Sequence, residues 1–458
     1  MVSKSYDLIV IGAGAAGSGA AMAATKKDRK ILQIERDNIG GTCLNYGCDP
    51  TKTLLEIAKL IHQSRHAKRF GLHIPTVNVD WSGVQKRVQE VITQMRGGTF
   101  EEASQQLAQS GIEVLRGEAH FTSSHTIEVG QKQFNAEKFV IASGCEAFVP
   151  PIEGLQEAGY LTNKEATRLS ALPGSLAIIG AGAIGIEFAQ LFQRFGVKVT
   201  VIEGNPMILA KEDHDLAVQL CDLLEEEGIQ LKPHTRLKKV QQRRDGKHLT
   251  LSNEQEGEST LVVDEILVAI GRQPALEALQ PEKAGIEIQK QGIVVDKYLQ
   301  TSQPHIWAAG DVASSYQFTH IASEQGRIAG YNAFAETPRC FEPRAIPWVT
   351  YTDPPLSHLG QTEDELREAG STYRSFSITF DQVERAIIEG RTEGRLKLLL
   401  DGNDKLLGAH ILGKNADDLL SQLILAMQSD LTIKQIAAAI MPYPTLSEAI
   451  RAAAQEAI

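Results

Sequence analysis

Cys43 and Cys48 stand five positions apart in the segment Gly40-Gly41-Thr42-Cys43-Leu44-Asn45-Tyr46-Gly47-Cys48-Asp49-Pro50-Thr51-Lys52. Two sulfurs at that spacing, at the start of a helix, can close a small disulfide. A helix N-terminus also lowers a thiol pKa and holds a reactive thiolate near neutrality. That chemistry is redox chemistry. Metal chelation is the rival, but a zinc-type site wants a second cysteine or histidine pair, which this chain does not offer, so no metal site is expected. Cys145, Cys221 and Cys340 are isolated and read as ordinary buried small hydrophobes. Five cysteines in 458 residues are too few for a disulfide-stapled secreted scaffold.

A cysteine pair that cycles needs a source of electrons, and two glycine loops point to nucleotides. The apolar run Tyr6 to Ile11 ends in Gly12-Ala13-Gly14-Ala15-Ala16-Gly17, and Leu176 to Ile179 ends in Gly180-Ala181-Gly182-Ala183-Ile184-Gly185. Each loop opens an alanine-rich or apolar helix, and each is followed by a strand ending in an acid, Glu35 or Glu203. The second glycine lies twenty-one residues before the acid in both cases. The first glycine of each makes the tight turn, the second lets backbone approach a pyrophosphate, and the third lets helix pack on strand. Helix N-termini supply free N–H groups and positive dipole ends to the phosphates. Glu35 and Glu203 are placed for ribose hydroxyls. A carboxylate at Glu203 accepts from a 2′-hydroxyl and repels a 2′-phosphate. The next residues, Gly204-Asn205-Pro206, bring no Arg or Lys before Lys211. NADH is therefore expected over NADPH.

The elements that must position these residues divide the chain into an α/β architecture. Residues 1–149 form a first doubly wound dinucleotide domain, and Pro150, Pro151, Pro173 and Gly174 bracket the crossing into a second at 150–270. The strand signal His305 to Ala309, ahead of Gly310-Asp311, returns the chain to the first domain over 271–338. Residues 339–458 read as a third domain of α+β type. There Trp348 to Leu359, Arg395 to Leu400 and Lys405 to Ile411 are strand-like, and Asp417 to Asp430 and Thr445 to Ala457 have helical periodicity. Asn253 to Gly257 reads as a turn. With 42% hydrophobic residues, 22% charged and net charge −11, the composition is globular and lacks the basic stripe of a nucleic-acid binder. Lys4 before the apolar stretch Leu8 to Ala24 imitates a signal peptide, yet the glycine pattern fits strand, turn and helix better. Gly180, Gly182, Gly185 and Glu187 interrupt the other long apolar stretch. No transmembrane segment is expected, and the cytoplasm is the expected location.

With these motifs assembled, the chain resembles the class I pyridine nucleotide–disulfide oxidoreductases, the family of dihydrolipoamide dehydrogenase, glutathione reductase and mercuric reductase. Further motifs carry the resemblance along nearly the whole chain: Ala142-Ser143-Gly144, Ala269-Ile270-Gly271-Arg272-Gln273-Pro274, Ala309-Gly310-Asp311 and Pro444-Thr445-Leu446-Ser447-Glu448. Ile346-Pro347-Trp348-Val349-Thr350-Tyr351-Thr352-Asp353-Pro354 and Tyr443-Pro444-Thr445 resemble the mercuric-reductase-like members most. The resemblance implies that the first loop and Glu35 bind the ADP half of FAD and Asp311 its ribitol, with Gly41, Thr42, Ala119, Ser143, Gly144 and Gly271 adding to the cofactor-binding set. The second loop and Glu203 bind the nicotinamide dinucleotide. Lys52 lies near the flavin, paired with Glu187. Cys48 faces the flavin and Cys43 attacks substrate. The C-terminal domain makes a homodimer, and its last motif completes the partner subunit's active site.

One position departs from the family. Its disulfide and dithiol reductases have His-Pro-Thr before the glutamate, and that histidine takes a proton from a thiol. Here Tyr443 stands in its place, and a phenol titrating near pH 10 is a poor base. Glu448 then has no imidazole to orient. Mercuric reductases carry tyrosine-type residues at this position but also end in a cysteine pair, and the last cysteine here is Cys340. The expected activity is an NADH-dependent flavin reductase acting through Cys43 and Cys48 on a metal ion or a small disulfide. Dihydrolipoamide dehydrogenase is the second reading, and a non-catalytic flavin redox sensor the third.

Overall fold

The computed structural model describes residues 4–458. They fall into two compact units: the chain up to Thr53 with Ser82–Phe148 and Gly271–Glu342, and Leu54–Trp81 with Val149–Ile270 and Pro343–Ile458.

In the first unit a parallel sheet runs in the order Ile112–Arg116, Ile31–Glu35, Lys4–Ile11, Lys132–Ile141, Ile306–Ala308. Its central strands are near-continuous apolar runs, as strands buried on both faces must be. Leu8, Ile9 and Val10 are fully buried. The stretch that imitates a signal peptide is the strand Lys4–Ile11 and the helix Ala15–Ala24. That helix packs on Thr319–Asn332 so closely that a Cβ on Gly326 or Gly330 would stand 2.0 or 2.1 Å from the Ala16 or Ala20 carbonyl oxygen.

The second unit holds a second parallel sheet, ordered Gln230–Lys232, Lys198–Ile202, Ser175–Ile179, Glu265–Val268. It also holds an antiparallel sheet of Thr235–Arg243, Gly246–Asn253 and Gly257–Val263. The expected turn at Asn253 to Gly257 joins its last two strands, with Asn253 Oδ1 accepting from the Gln255 and Glu256 amides. Towards the C-terminus five strands form an antiparallel sheet, ordered Pro347–Thr350, Leu356–Gly360, Leu406–Leu412, Arg395–Leu400, Arg374–Thr379. The helices Ala416–Gln428 and Glu448–Glu456 pack into its core. Trp348 to Leu359, read from sequence as one strand-like run, is a pair of antiparallel strands separated at Asp353-Pro354. Proline has no N–H to continue a ladder.

A polar knot is buried within this unit. Glu212 accepts from Trp348 Nε1 at 2.9 Å, and its other oxygen faces His358 Nδ1 at 3.5 Å. His358 Nε2 bonds the Gly360 carbonyl, and its ring stacks under Trp348. Burial pushes Glu212 up to about 7 and His358 down to about 4. The contact is therefore no ion pair. Two lone pairs meet there unless Glu212 carries a proton.

Among the described residues no helix is long and apolar enough to cross a membrane, and no group of three or more His, Cys, Asp or Glu could hold a metal ion.

Candidate active site

The cysteine pair sits in the first unit on two consecutive helices, Gly41–Tyr46 and Cys48–His66. Gly40, at a φ of 97°, makes the left-handed turn that begins the first helix. Asn45, fully buried, ties the segment together by donating to the Ile39 and Gly41 carbonyls at 3.1 and 2.9 Å. Arg96 Nη1 holds the Asn45 side-chain oxygen at 3.1 Å. Both thiols are free and hydrogen-bond to each other.

The pair shares its protons unequally. Cys48 is pushed down to about 6, first by the hydrogen bond from Cys43, against burial, with help from Thr319 and the Lys52 charge. Cys43 is pushed up by the same hydrogen bond and by burial. The arrangement at neutral pH is a Cys48 thiolate accepting from a Cys43 thiol. Cys48 begins its own helix, and its Sγ lies 3.3 Å from the hydroxyl of Thr319, the first residue of Thr319–Asn332. Two helix N-termini thus meet at one sulfur, and both favour its negative charge. Thr319 was missed by the reading of the sequence. It is 271 residues from Cys48, and its only local signal is its place eight residues after Asp311.

The glycine loops of the two units repeat one device. Glu35 accepts from the Ala13 and Asp37 amides, each at 2.8 Å. Glu203 accepts from Ala181 at 2.9 Å and Asn205 at 2.8 Å. Burial raises the Glu35 pKa. Each acid therefore braces its own loop. Gly12, at φ 108°, leaves no room for a side chain: its Cβ would stand 2.2 Å from the Ala142 oxygen. The third glycines, Gly17 and Gly185, would press a Cβ to 2.0 and 2.1 Å of Gly12 and Gly180 carbonyl oxygens. Gly14 backs onto Gly41, whose Cβ would lie 2.7 Å from the Gly14 Cα, whereas a Cβ on Gly182 would meet nothing within 4 Å. The second glycine leaves bare backbone in both loops.

The other expected cofactor residues also lie in the first unit. Ala119 is buried at the start of the strand Ala119–Ser123, and Thr42 follows Gly41 in its helix. Ser143 Oγ is buried without a hydrogen-bond partner. Gly144 and Gly271 have open space where a side chain would project. An orphaned hydroxyl among bare backbone faces suits a polar ligand such as FAD. Asp311 is held by Arg272 at 2.5 Å. The Arg272–Asp311 ion pair is set by the antiparallel pairing of Arg272–Pro274 with Cys145–Ala147. Cys145 bonds the Asp311 carbonyl at 3.0 Å, and burial pushes its thiol up to about 12, so it is inert.

Lys52 lies one turn after Cys48 in the first unit. Glu187, Tyr443 and Glu448 lie in the second. Glu187 is buried on the helix Ala183–Arg194, and its Oε1 accepts from the Tyr351 amide at 2.9 Å. Tyr443 is 72% exposed. A hydrogen bond with Glu384 pushes its phenol above its ordinary value, so it stays protonated across neutral pH. Glu448 opens the helix Glu448–Glu456 and accepts from the Thr445 amide of the preceding turn at 3.0 Å.

Comparison with known proteins agrees with this geometry. Residues 6–326 match the family described as pyridine nucleotide-disulphide oxidoreductase, and residues 346–454 match its dimerisation domain. A mercuric reductase of Bacillus cereus is 34% identical over 451 residues, covering 98% of this chain and 71% of that protein. A dihydrolipoyl dehydrogenase of Bacillus subtilis is 34% identical over 453 residues, 97% of each. The Cu(II) complex of the HOCl-induced flavoprotein disulfide reductase RclA from Escherichia coli superposes with a TM-score of 0.87 at 30% identity, covering 97% of this chain and 98% of that one. The chain belongs to the pyridine nucleotide-disulphide oxidoreductase family and is an FAD-dependent enzyme that uses a pyridine nucleotide.

Proposed function

We propose that this enzyme carries electrons from NADH through FAD to the Cys43–Cys48 pair, and from there to a thiol-binding metal ion, mercury(II) or copper(II). The observation that carries this reading is a dithiol that shares its protons unequally in a chain that has Tyr443 where the family's thiol-handling members have a histidine base. A thiol substrate needs a proton removed, and general acid–base catalysis is typically worth about 10²–10⁴ in rate. The Tyr443 phenol, raised by Glu384, cannot take that proton. A thiol-binding cation needs only thiolate ligands, which the low Cys48 pKa supplies near neutrality. The relatives named mercuric reductase, and the Cu(II) complex of RclA, support the same substrate class.

Bound FAD would take a hydride from NADH and pass two electrons on. The chain's own residues do the rest. The Gly12 and Gly180 loops hold the two dinucleotides, and Lys52 holds the flavin side of the site. Two electrons and one proton open the disulfide to a Cys48 thiolate and a Cys43 thiol. Cys48 faces the flavin, stabilised as a thiolate by Thr319 and Lys52, and Cys43 meets the substrate. Two electrons then reduce one mercury(II) ion, or two copper(II) ions by one electron each, and the disulfide re-forms as the Cys43 proton leaves to solvent. Residues 1–149 and 271–338 serve as the FAD domain, 150–270 as the NAD domain and 339–458 as the homodimer interface of a cytoplasmic enzyme. NADH is the better coenzyme because the Glu203 carboxylate repels a 2′-phosphate, and kcat/KM for NADPH should stay below that for NADH.

Cys43→Ser should abolish metal-dependent NADH oxidation while sparing reduction of the flavin by NADH. Unchanged metal turnover in that variant would end the proposal. Dihydrolipoamide oxidation is the second reading, favoured by full-length identity to a dihydrolipoyl dehydrogenase. Vigorous turnover of dihydrolipoamide by the wild type would put it first.

A further inference from the structure

An arginine that chain order hides lies beside the second acidic residue. The Thr235 amide donates to the Glu203 carbonyl at 2.8 Å, and the His234 amide to the Asn205 carbonyl at 3.0 Å. These bonds bring the start of the strand Thr235–Arg243 alongside Glu203-Gly204-Asn205. Gly204 separates the acid from Asn205. A Cβ there would stand 3.3 Å from Arg236 Cγ and 3.5 Å from its Nε. The Arg236 stem therefore fills the place where a side chain on Gly204 would project, and this pins the guanidinium next to the loop. Arg236 is exposed, and among the described residues nothing bonds or ion-pairs its guanidinium. Arg194 and Arg391 in the same unit are both committed to Asp353. Both Glu203 oxygens, meanwhile, already accept backbone amides, which tempers the acid's repulsion of an anion.

We infer that Arg236 is a specificity-determining residue that lets the site accept a 2′-phosphorylated dinucleotide beside its preferred unphosphorylated one. This rests on the reading of the Gly180 loop as the nicotinamide dinucleotide site. A guanidinium presents a planar fork of donors that matches phosphate oxygens two at a time. The ribose that Glu203 addresses carries the 2′-phosphate of NADPH, and Arg236 is the unpaired cation packed on the adjoining residue. The enzyme draws on both coenzymes, with NADH ahead because Glu203 remains an acid.

The test is calorimetric binding of 2′,5′-ADP and of 5′-AMP, each alone, to the oxidised FAD-loaded full-length enzyme, in wild type, Arg236→Gln and Arg236→Lys. Wild type should bind both. Arg236→Gln should lower the ratio of 2′,5′-ADP to 5′-AMP affinity by about tenfold or more, the size of a lost charge-assisted pair of hydrogen bonds. Arg236→Lys should recover part of that loss. The ratio of kcat/KM for NADPH to that for NADH should fall in step. An unchanged affinity ratio in Arg236→Gln overturns the inference. Wild type that binds 5′-AMP and ignores 2′,5′-ADP also overturns it and leaves the dinucleotide site standing. Failure to bind either nucleotide removes the dinucleotide reading of the loop, and the inference with it.

Discussion

The distribution of one proton between two sulfurs governs the chemistry at the residue scale. Cys48 is the thiolate because Cys43, Thr319 and Lys52 all favour its charge, together outweighing burial. Thr319→Val removes one of those donors and keeps the shape. Its expected effect is a rise in the Cys48 titration midpoint from about 6 by about one pH unit, since a hydrogen bond of roughly 1–1.5 kcal/mol corresponds to that shift. The pH dependence of iodoacetamide alkylation of the reduced enzyme, read at each cysteine by mass spectrometry, measures it; an unmoved midpoint would deny Thr319 that role. Cys43, Cys48 and Lys52 are legible in sequence because one ten-residue segment carries all three. Thr319 and Arg236 are not. The start of a helix delivers Thr319 and the start of a strand delivers Arg236, each across a long separation that nothing near them in the chain announces.

Among the elements, the glycine loops and their strands are the most legible, because each residue type there answers a steric demand made by its neighbours. The C-terminal hairpin is less so, since its two strands share one apolar pattern and only Asp353-Pro354 marks the break. The helix Trp81–Arg96 carries a helical period in Trp81, Val84, Val88, Val91, Ile92 and Met95, although it buries little beyond Val88 and Ile92. The knot around Glu212 is illegible for another reason: its members, Glu212, Trp348, His358 and His410, come from three separate stretches. It makes a definite prediction. Glu212 is raised from an ordinary 4.5 to about 7, so the folded state binds its proton more tightly than the unfolded one. That contribution is complete below about pH 4.5 and is lost as pH rises through 7. His358 and His410, lowered to about 4 and about 3, act oppositely, losing stability as pH falls below 6.5. Glu212→Gln supplies an uncharged donor to His358 Nδ1 at every pH. Its thermal midpoint should exceed the wild type's at pH 8, at about 2–4 °C per kcal/mol gained, and the advantage should shrink towards pH 5. Equal midpoints at pH 8 would show that Glu212 is ionised without penalty.

The whole molecule carries a dimerisation domain over residues 346–454. Leu425, Ile440 and Tyr443 of that region are 65%, 89% and 72% exposed, and a partner subunit seated on the dimerisation domain would cover them. Ile440→Asp should convert the expected homodimer to monomer in sedimentation velocity at micromolar concentration. Metal-dependent turnover should fall with it, because Tyr443 and Glu448 are expected to serve the partner's site. A dimeric and fully active Ile440→Asp enzyme would place the interface elsewhere. The composition could not reveal such a surface, since an interface and a core draw on the same residues.

The first sheet also sets an order on biosynthesis. Its strand Lys4–Ile11 leaves the ribosome first, yet the strand Ile306–Ala308 that closes the far edge follows roughly 300 residues later, a delay of about 15–60 s at typical translation rates. During that interval the nascent N-terminal strands expose an unfinished apolar edge, while the contiguous second sheet is already complete. A holding chaperone should therefore engage the earliest part of the chain, and release it only once the return segment has emerged.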